Sequence, residues 1–283
     1  HRNTMPEPIR QQVKKLWCKT FGDSEEFVER FLNLYFDNRH FFCSENNGEL
    51  QAMLFILDYS LRIHSAEYKG AYLYAFCSVP QYRGSGLASG LLQQTERILS
   101  SSGYDYLFLI AASEGLIDYY ERLSFRSCRS HKMTAYKKEL SESIKTKNLC
   151  FERSHSIDIA AYRHIAETRD NSVMHSEGDL SLYQQGGYDI YYMSEEEEVC
   201  AMAVTLKKDD KVVVLDSLGK DASHADCLLG YVYTQNNQCD LLQPSRLLQT
   251  QSEDFRSPYM IKSLQGIRNP LPERLYFNLL LDK

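Results

Sequence analysis

The stretch Ser78-Val79-Pro80-Gln81-Tyr82-Arg83-Gly84-Ser85-Gly86-Leu87-Ala88 constrains this chain more than any other. A strand-like run from Tyr68 to Val79 stops at Pro80, which cannot donate to a sheet ladder. A short loop with Arg83 and two glycines follows. Helical spacing then begins at once, with Leu87, Leu91, Leu92, Thr95 and Ile98 on one face, and ends near Gly103. Strand, tight turn and helix in direct succession predict an α/β architecture. A helix that starts in such a loop points unpaired N–H groups outward and carries partial positive charge, so it favours phosphate. Gly84 and Gly86 would let the backbone approach a diphosphate with no side chain between. A plain strand-to-helix turn satisfies the same residues, so the flanking sequence has to decide.

Upstream, Ile9, Val13, Leu16 and Trp17 recur at helical spacing. Ser24 is placed as an N-cap before Glu25 and Glu26, with Phe27, Phe31, Leu34 and Tyr35 behind it. Strands are expected at Phe41 to Ser44 and Leu50 to Tyr59, joined through Asn46-Asn47-Gly48 as a hairpin. Downstream come a buried strand (Tyr106 to Ile110), a helix (Gly115 to Leu123) and a strand region (Phe125 to Lys137). Lys138 to Asn148, rich in Lys, Ser and Glu, reads as a linker.

The second half repeats this order. Helices fit Ser156 to Thr168 and Asp179 to Gln184. Strands fit Asp189 to Met193, Val199 to Lys207 and Lys211 to Leu218, with the acidic run Glu195 to Glu198 as a solvated turn between the first two. A helix (Asp226 to Thr234) and strands at Asp240 to Leu242, Tyr259 to Leu264 and Leu275 to Leu281 complete it. A chain of 283 residues has room for two such units. The expected domains are residues 1–140 and 150–283, a cryptic duplication of one fold.

Charge and cysteine usage narrow the function classes. Residues 1–150 hold 19 Lys and Arg against 17 Asp and Glu, and residues 151–283 hold 13 against 21. Neither balance supplies the basic face of a nucleic-acid binder. No apolar run approaches the ~18 residues of a membrane span, and no secretory signal pattern is seen. The eight cysteines form no Cys-x-x-Cys pair, and the eight histidines form no ligand pair. Reduced thiols, a cytoplasmic setting and no metal site are therefore expected.

Three readings of the glycine loop compete. A Walker loop fails because no Gly-Lys-Ser/Thr follows. A dinucleotide fingerprint is closer, with Gly84-x-Gly86-x-x-x-Gly90 and Asp105 downstream, but Asp105 precedes a strand instead of ending one, and the loop follows a meander. The third reading matches more positions. Gln81-x-x-Gly84-x-Gly86 resembles the Gln/Arg-x-x-Gly-x-Gly/Ala signature of the Gcn5-related N-acetyltransferases. Val79-Pro80, Leu87-Ala88 and Leu91-Leu92 resemble the flanks of that signature, and Tyr120-Glu121-Arg122-Leu123-Ser124-Phe125 resembles the family's Tyr-Glu-Lys-x-Gly-Phe segment, with Ser124 in place of glycine. The likeness spans roughly residues 10 to 137. The second half is similar, in element order and in its endings Ser257-Pro258-Tyr259-Met260-Ile261 and Tyr276-Phe277-Asn278-Leu279, to the degenerate repeat of tandem members of the enhanced-intracellular-survival type.

The resemblance implies a mixed α/β fold in tandem, with the second copy degenerate. It implies acetyl-coenzyme A as acyl donor and a small-molecule or peptide amine as acceptor. The acidic second half points to a cationic acceptor such as a polyamine, an aminoglycoside or a Lys-bearing peptide. Phe76, Cys77, Ser78 and Val79 match the strand that hydrogen-bonds pantetheine. Arg83, Gly84, Ser85, Gly86, Leu87 and Ala88 match the diphosphate loop. Tyr120 matches the general acid that protonates the leaving thiolate, with Tyr119 as the alternative donor and a plain core aromatic as the rival reading. The family's glutamate base falls on Leu73, which cannot accept a proton; Glu114 and Asp118 lie near the family's second cofactor-contacting segment but fit equally as helix-start acids, and a water chain or an already neutral amine would serve as well. The base stays unassigned. Cys77, with no histidine at a meaningful spacing, reads as a small buried side chain. A non-catalytic acyl-coenzyme A-binding or scaffold protein, favoured by Leu73 and Ser124, is the rival from another class.

Overall fold

The computed structural model describes residues 5–37, 39–128, 133–135, 148–169, 171–184, 187–208, 211–236, 241–244, 258–266, 271 and 275–276. Two amphipathic helices open the chain. α1 (Glu7–Phe21) ends at Gly22, whose left-handed φ of 79° lets its N–H reach the Cys18 carbonyl. α2 (Glu25–Tyr35) starts as expected on Ser24, whose hydroxyl accepts from the Phe27 N–H. Their buried faces carry Val13, Leu16 and Trp17 from one helix and Val28, Phe31 and Leu32 from the other. The Trp17 ring packs on Phe31 (4.8 Å), Phe55 (5.4 Å) and Tyr74 (5.6 Å).

β1 (Phe41–Asn46) and β2 (Glu49–Ile63) pair antiparallel around Asn47 and Gly48, both left-handed as a tight hairpin turn requires. β3 (Ala66–Ser78) follows, then a single 3-10 turn (Pro80–Tyr82), α3 (Leu87–Ser101), β4 (Tyr106–Ile110), α4 (Glu114–Arg122) and β5 (Arg126–Ser127). β3 and β4 run parallel, with α3 as the crossover between them. β13 (Tyr259–Ser263), from late in the sequence, lies antiparallel to β4 and pairs β5 on its other side. The sheet order is thus β1-β2-β3-β4-β13-β5.

A second sheet is built from β7 (Leu149–Ser154), β9 (Asp189–Glu195), β10 (Glu198–Lys208), β11 (Lys211–Gly219), β12 (Leu241–Pro244) and β6 (Met133–Ala135), in the order β6-β12-β11-β10-β9-β7. α5 (Ile159–Ala166), β8 (Ser172–Met174) and α6 (Glu177–Gln184) precede β9, and α7 (Ala222–Gln235) joins β11 to β12. Both faces of this sheet are covered. Ile190, Tyr192, Met202 and Val204 pack with Tyr162, Ile165 and Tyr183, while Tyr191, Met193, Ala203 and Val214 pack with Leu228, Leu229 and Val232.

The two sheets share one plan. β9, β10, β11, α7 and β12 repeat β1, β2, β3, α3 and β4, including the parallel pair bridged by a helix. The last strand of each plan is exchanged: β13 sits beside β4, and β6 sits beside β12. The compact units therefore do not follow a single cut between residues 140 and 150. The first unit comprises the chain to Ser60, Tyr68–Cys128 and the β13 segment, and the second takes β6 and the hairpin tip Leu61–Glu67. Within the second unit, Arg62 donates to the Glu167 carbonyl and the His64 N–H to Asn171 Oδ1.

Several sequence expectations need correction. Among the described residues, the strand region Phe125 to Lys137 holds two short strands in different sheets, β5 and β6. β7 and β8 were not expected: β7 is half-exposed and β8, though Ser172 and Val173 are buried, is only three residues long, too short to show a period. α7 begins at Ala222, not Asp226, because Asp221 caps it. Of the expected strand Leu275 to Leu281, Tyr276 bridges Ser172, and residues beyond it lie outside the described ones, as does the linker up to Lys147. Among the described residues no helix is long and apolar enough to cross a membrane.

Candidate functional site

β3 and β4 are paired only over Gly70–Tyr72 and Tyr106–Phe108. Beyond that point β3 runs on to Ser78 and β4 to Ile110, so the parallel strands part. Phe76, Cys77 and Ser78 lie on the parted end of β3, and the Val79 N–H turns to β2, donating to the Gln51 carbonyl at 2.9 Å. Inside this segment Ala75 holds a φ of 48°. A left-handed non-glycine residue within a strand costs about 1–3 kcal/mol and kinks the chain. The sequence gives no sign of it, because an alanine does not mark a bend as a glycine would. On either side of the kink, Tyr74 packs on Trp17 and Phe31, whereas Phe76 faces Tyr120 at 6.5 Å.

Next comes the loop. Arg83, Gly84, Ser85 and Gly86 are exposed, and both glycines are left-handed, with φ of 78° and 83°. A Cβ placed on either would meet nothing within 4 Å. These glycines are thus required by backbone conformation, and the space before them is open. Arg83 and Ser85 spend their N–H groups on turn bonds to Pro80 (3.2 Å) and Tyr82 (3.4 Å). Gly86 is the N-cap of α3 and has no side chain to cap it. Among the described residues none accepts from the N–H groups of Gly84, Gly86, Leu87 or Ala88. The positive end of α3 is therefore free, which is the arrangement that binds an anion.

Tyr120 lies in the last part of α4, 7 % exposed, with its ring held by Tyr119 (5.1 Å), Phe125 (5.5 Å) and Phe76. Burial, then the neighbouring Tyr119 and Cys77, push its phenol well above the ordinary tyrosine range. No hydrogen bond to its hydroxyl is found among the described residues. Tyr119 differs, since its hydroxyl is engaged with Ser89 Oγ at 3.0 Å. Of the two tyrosines, Tyr120 is the one whose hydroxyl has no hydrogen-bond partner among the described residues. Cys77 is buried beside it, and burial pushes the thiol up to about 12 against the opposing effects of a Thr20 hydrogen bond and the Arg83 charge. A thiol so placed stays protonated near neutral pH. Leu73 is buried on β3, and Glu114 and Asp118 are exposed on α4. Ala75, Ser89 and Thr20 were missed by sequence reasoning, which offered no motif for any of them.

In the second unit the matching helix start is closed. Asp221 caps α7, its carboxylate accepting from the His224 N–H at 3.0 Å. Hydrogen bonds from His224 hold that carboxyl below its usual range. A Cβ on Gly219 would meet the Ala225 nitrogen and the Asp221 carbonyl oxygen at 2.7 Å.

Comparison with known proteins agrees with this geometry. The model of the acetyltransferase (GNAT) domain matches residues 4–128. No curated protein sequence matches the chain. Among solved structures, a GCN5-related N-acetyltransferase from Kribbella flavida superposes with a TM-score of 0.75 at 14% identity, covering 93% of this chain and 71% of its own. One from Anabaena variabilis ATCC 29413 gives 0.74 at 15%, covering 93% and 72%. Eis1 from Mycobacterium abscessus gives 0.71 at 9%, covering 94% and 74%. At such identities the likeness is one of fold, and it extends over both units. The family match, the parted strands and the free helix start lead to one conclusion: this chain carries an acetyltransferase domain of the GNAT family in residues 4–128.

Proposed function

We propose that the protein is an acetyl-coenzyme A-dependent N-acetyltransferase, with the first unit catalytic and the second a degenerate copy. The observation that carries this reading is the uncapped start of α3 behind two left-handed glycines, next to the parted end of β3. The N–H groups of Gly84, Gly86, Leu87 and Ala88 would hold the diphosphate, with Arg83 and Ser85 completing the loop. The backbone of Phe76 to Val79 would hold the pantetheine as an added strand. That leads the thioester toward Tyr120.

An amine acceptor then attacks the thioester carbonyl. The N–C bond forms, the C–S bond breaks, and the sulfur leaves with the electron pair. Tyr120 donates its hydroxyl proton toward that sulfur. Because burial raises the phenol, Tyr120 holds its proton across neutral pH and imposes no alkaline limb on activity there. With Leu73 in the family's base position, the amine's own proton goes to water. The excess of Asp and Glu in residues 151–283 favours a cationic acceptor, small molecule or peptide.

Steady-state release of coenzyme A thiol with a panel of amines tests the reading. Turnover supports it, and binding without turnover favours a non-catalytic acyl-coenzyme A-binding protein, the reading to which Leu73 points. Tyr120→Phe is expected to lower kcat by ~10²-fold with cosubstrate affinity nearly unchanged. Equal kcat in the two forms would remove Tyr120 from the mechanism.

A further inference from the structure

One side-chain bond joins the two halves of the candidate site. Ser89 lies in the first turn of α3, the helix whose start is free to hold the diphosphate. Tyr119 lies on α4, next to Tyr120. Their hydroxyls meet at 3.0 Å, partly buried, and the Tyr119 ring stands edge-on to Tyr120 at 5.1 Å and 69°. Phe125 abuts the Tyr120 ring at 66°. The Tyr120 ring is thus placed by aromatic contacts, and one of those contacts is itself pinned to α3.

We infer that Tyr119, through Ser89, is a positioning residue that fixes the Tyr120 hydroxyl relative to a cosubstrate anchored at the start of α3. The inference rests on the proposed acetyltransfer reading. Its physical basis is registration. The diphosphate is anchored at the start of α3 and the phenol that meets the sulfur is carried by α4, so the distance between those helices decides where the sulfur falls relative to the phenol. A displacement of about 1 Å at a reacting centre can cost up to ~10²-fold in rate. The bond has no partner in the chemistry and carries no charge to the ligand, so its loss should be felt only through Tyr120.

Calorimetry with coenzyme A and desulfo-coenzyme A, at about pH 9 where a thiol of pKa ~8.5 is mostly thiolate, reads this without any acceptor. The native protein should bind coenzyme A ~10-fold more tightly than the desulfo form, through a hydrogen bond from Tyr120 to the charged sulfur. Tyr120→Phe should abolish that preference. Tyr119→Phe and Ser89→Ala should each reduce it ~3-fold, should reduce it no further when combined, and should leave desulfo-coenzyme A affinity unchanged. Ser89→Thr, which keeps a hydroxyl, should restore it. Full preference retained in both Tyr119→Phe and Ser89→Ala, with Tyr120→Phe still losing it, overturns this inference alone. A fall in desulfo-coenzyme A affinity instead would mean a merely structural bond, and also overturns it. If Tyr120→Phe keeps the preference, or neither ligand binds, the proposed mechanism fails and the inference fails with it.

Discussion

Two helix starts, built by the same topology, differ in what they can hold. α3 and α7 each bridge a parallel pair of strands, β3 to β4 and β11 to β12. At α3 the chain turns through two left-handed glycines into open space and leaves its first N–H groups free. At α7 the turn folds back on itself around Gly219, and the Asp221 carboxylate occupies the cap. An ionised cap already answers the helix dipole and repels a second anion. A free helix start is therefore a property of one turn, and repeating the fold around it does not repeat it.

The flanking helices sharpen the contrast. Where α1 and α2 meet the first sheet, the core is aromatic, with Trp17 and Phe31 each packed on Phe55 and Tyr74. Where α5 and α6 meet the second, the apolar core encloses an ionic cluster. His175 is fully buried, 3.2 Å from Asp179 and 3.4 Å from Asp216. Tyr183 meets Nε2, the ring nitrogen that also faces Asp216, at 3.0 Å, Tyr162 donates to Asp216, Arg169 pairs with Asp216 at 3.1 Å, and the Tyr276 ring lies under Arg169.

The largest effect should come from cutting the chain where sequence suggested a boundary. A fragment ending at residue 140 lacks β13, whose Met260 and Ile261 are buried against β4 and β5. It should show no cooperative melt by circular dichroism, and a folded fragment that binds acetyl-coenzyme A would show the first unit to be complete without β13. Next, the two glycines should fail in opposite ways. Gly84→Val should weaken acetyl-coenzyme A binding ~10²-fold at nearly native Tm, since the site is open but left-handed. Gly219→Val should lower Tm sharply with cosubstrate affinity unchanged, since its neighbours at 2.7 Å include backbone atoms. Matching effects of the two on binding would dissolve the comparison.

The smallest effect is one of pH. Burial alone would lower the His175 pKa, but hydrogen bonds and charge from Asp179 and Asp216 outweigh it, and the folded value is raised above 6.5. Stability from a raised group is full below the unfolded value and is lost as pH rises through the folded one. Tm should thus fall across that interval in the native protein. His175→Gln should flatten this part of the profile, and an unchanged slope would show that His175 is neutral in the fold.

Much of this was legible in the sequence because it is local. The Ser24 cap, the Asn47-Gly48 hairpin and the Gly84-Ser85-Gly86 turn are set by residue chemistry at fixed offsets. The Ala75 kink was not, since its cost is met by packing from elsewhere in the fold. Nor was the exchange of β6 and β13, because an antiparallel strand reads the same whichever sheet receives it. Ser89 and Tyr119, thirty positions apart, have no pattern that announces their bond. The Asp221 cap was readable, but the Asp226 to Thr234 window began too late to include it.

Calorimetric titration of the full chain with acetyl-coenzyme A tests the central claim most directly. One site per chain, weakened ~10²-fold in Gly84→Val and intact in Asp221→Ala, is the expected result. Two equivalent sites, or one whose affinity Gly84→Val leaves unchanged, would contradict it.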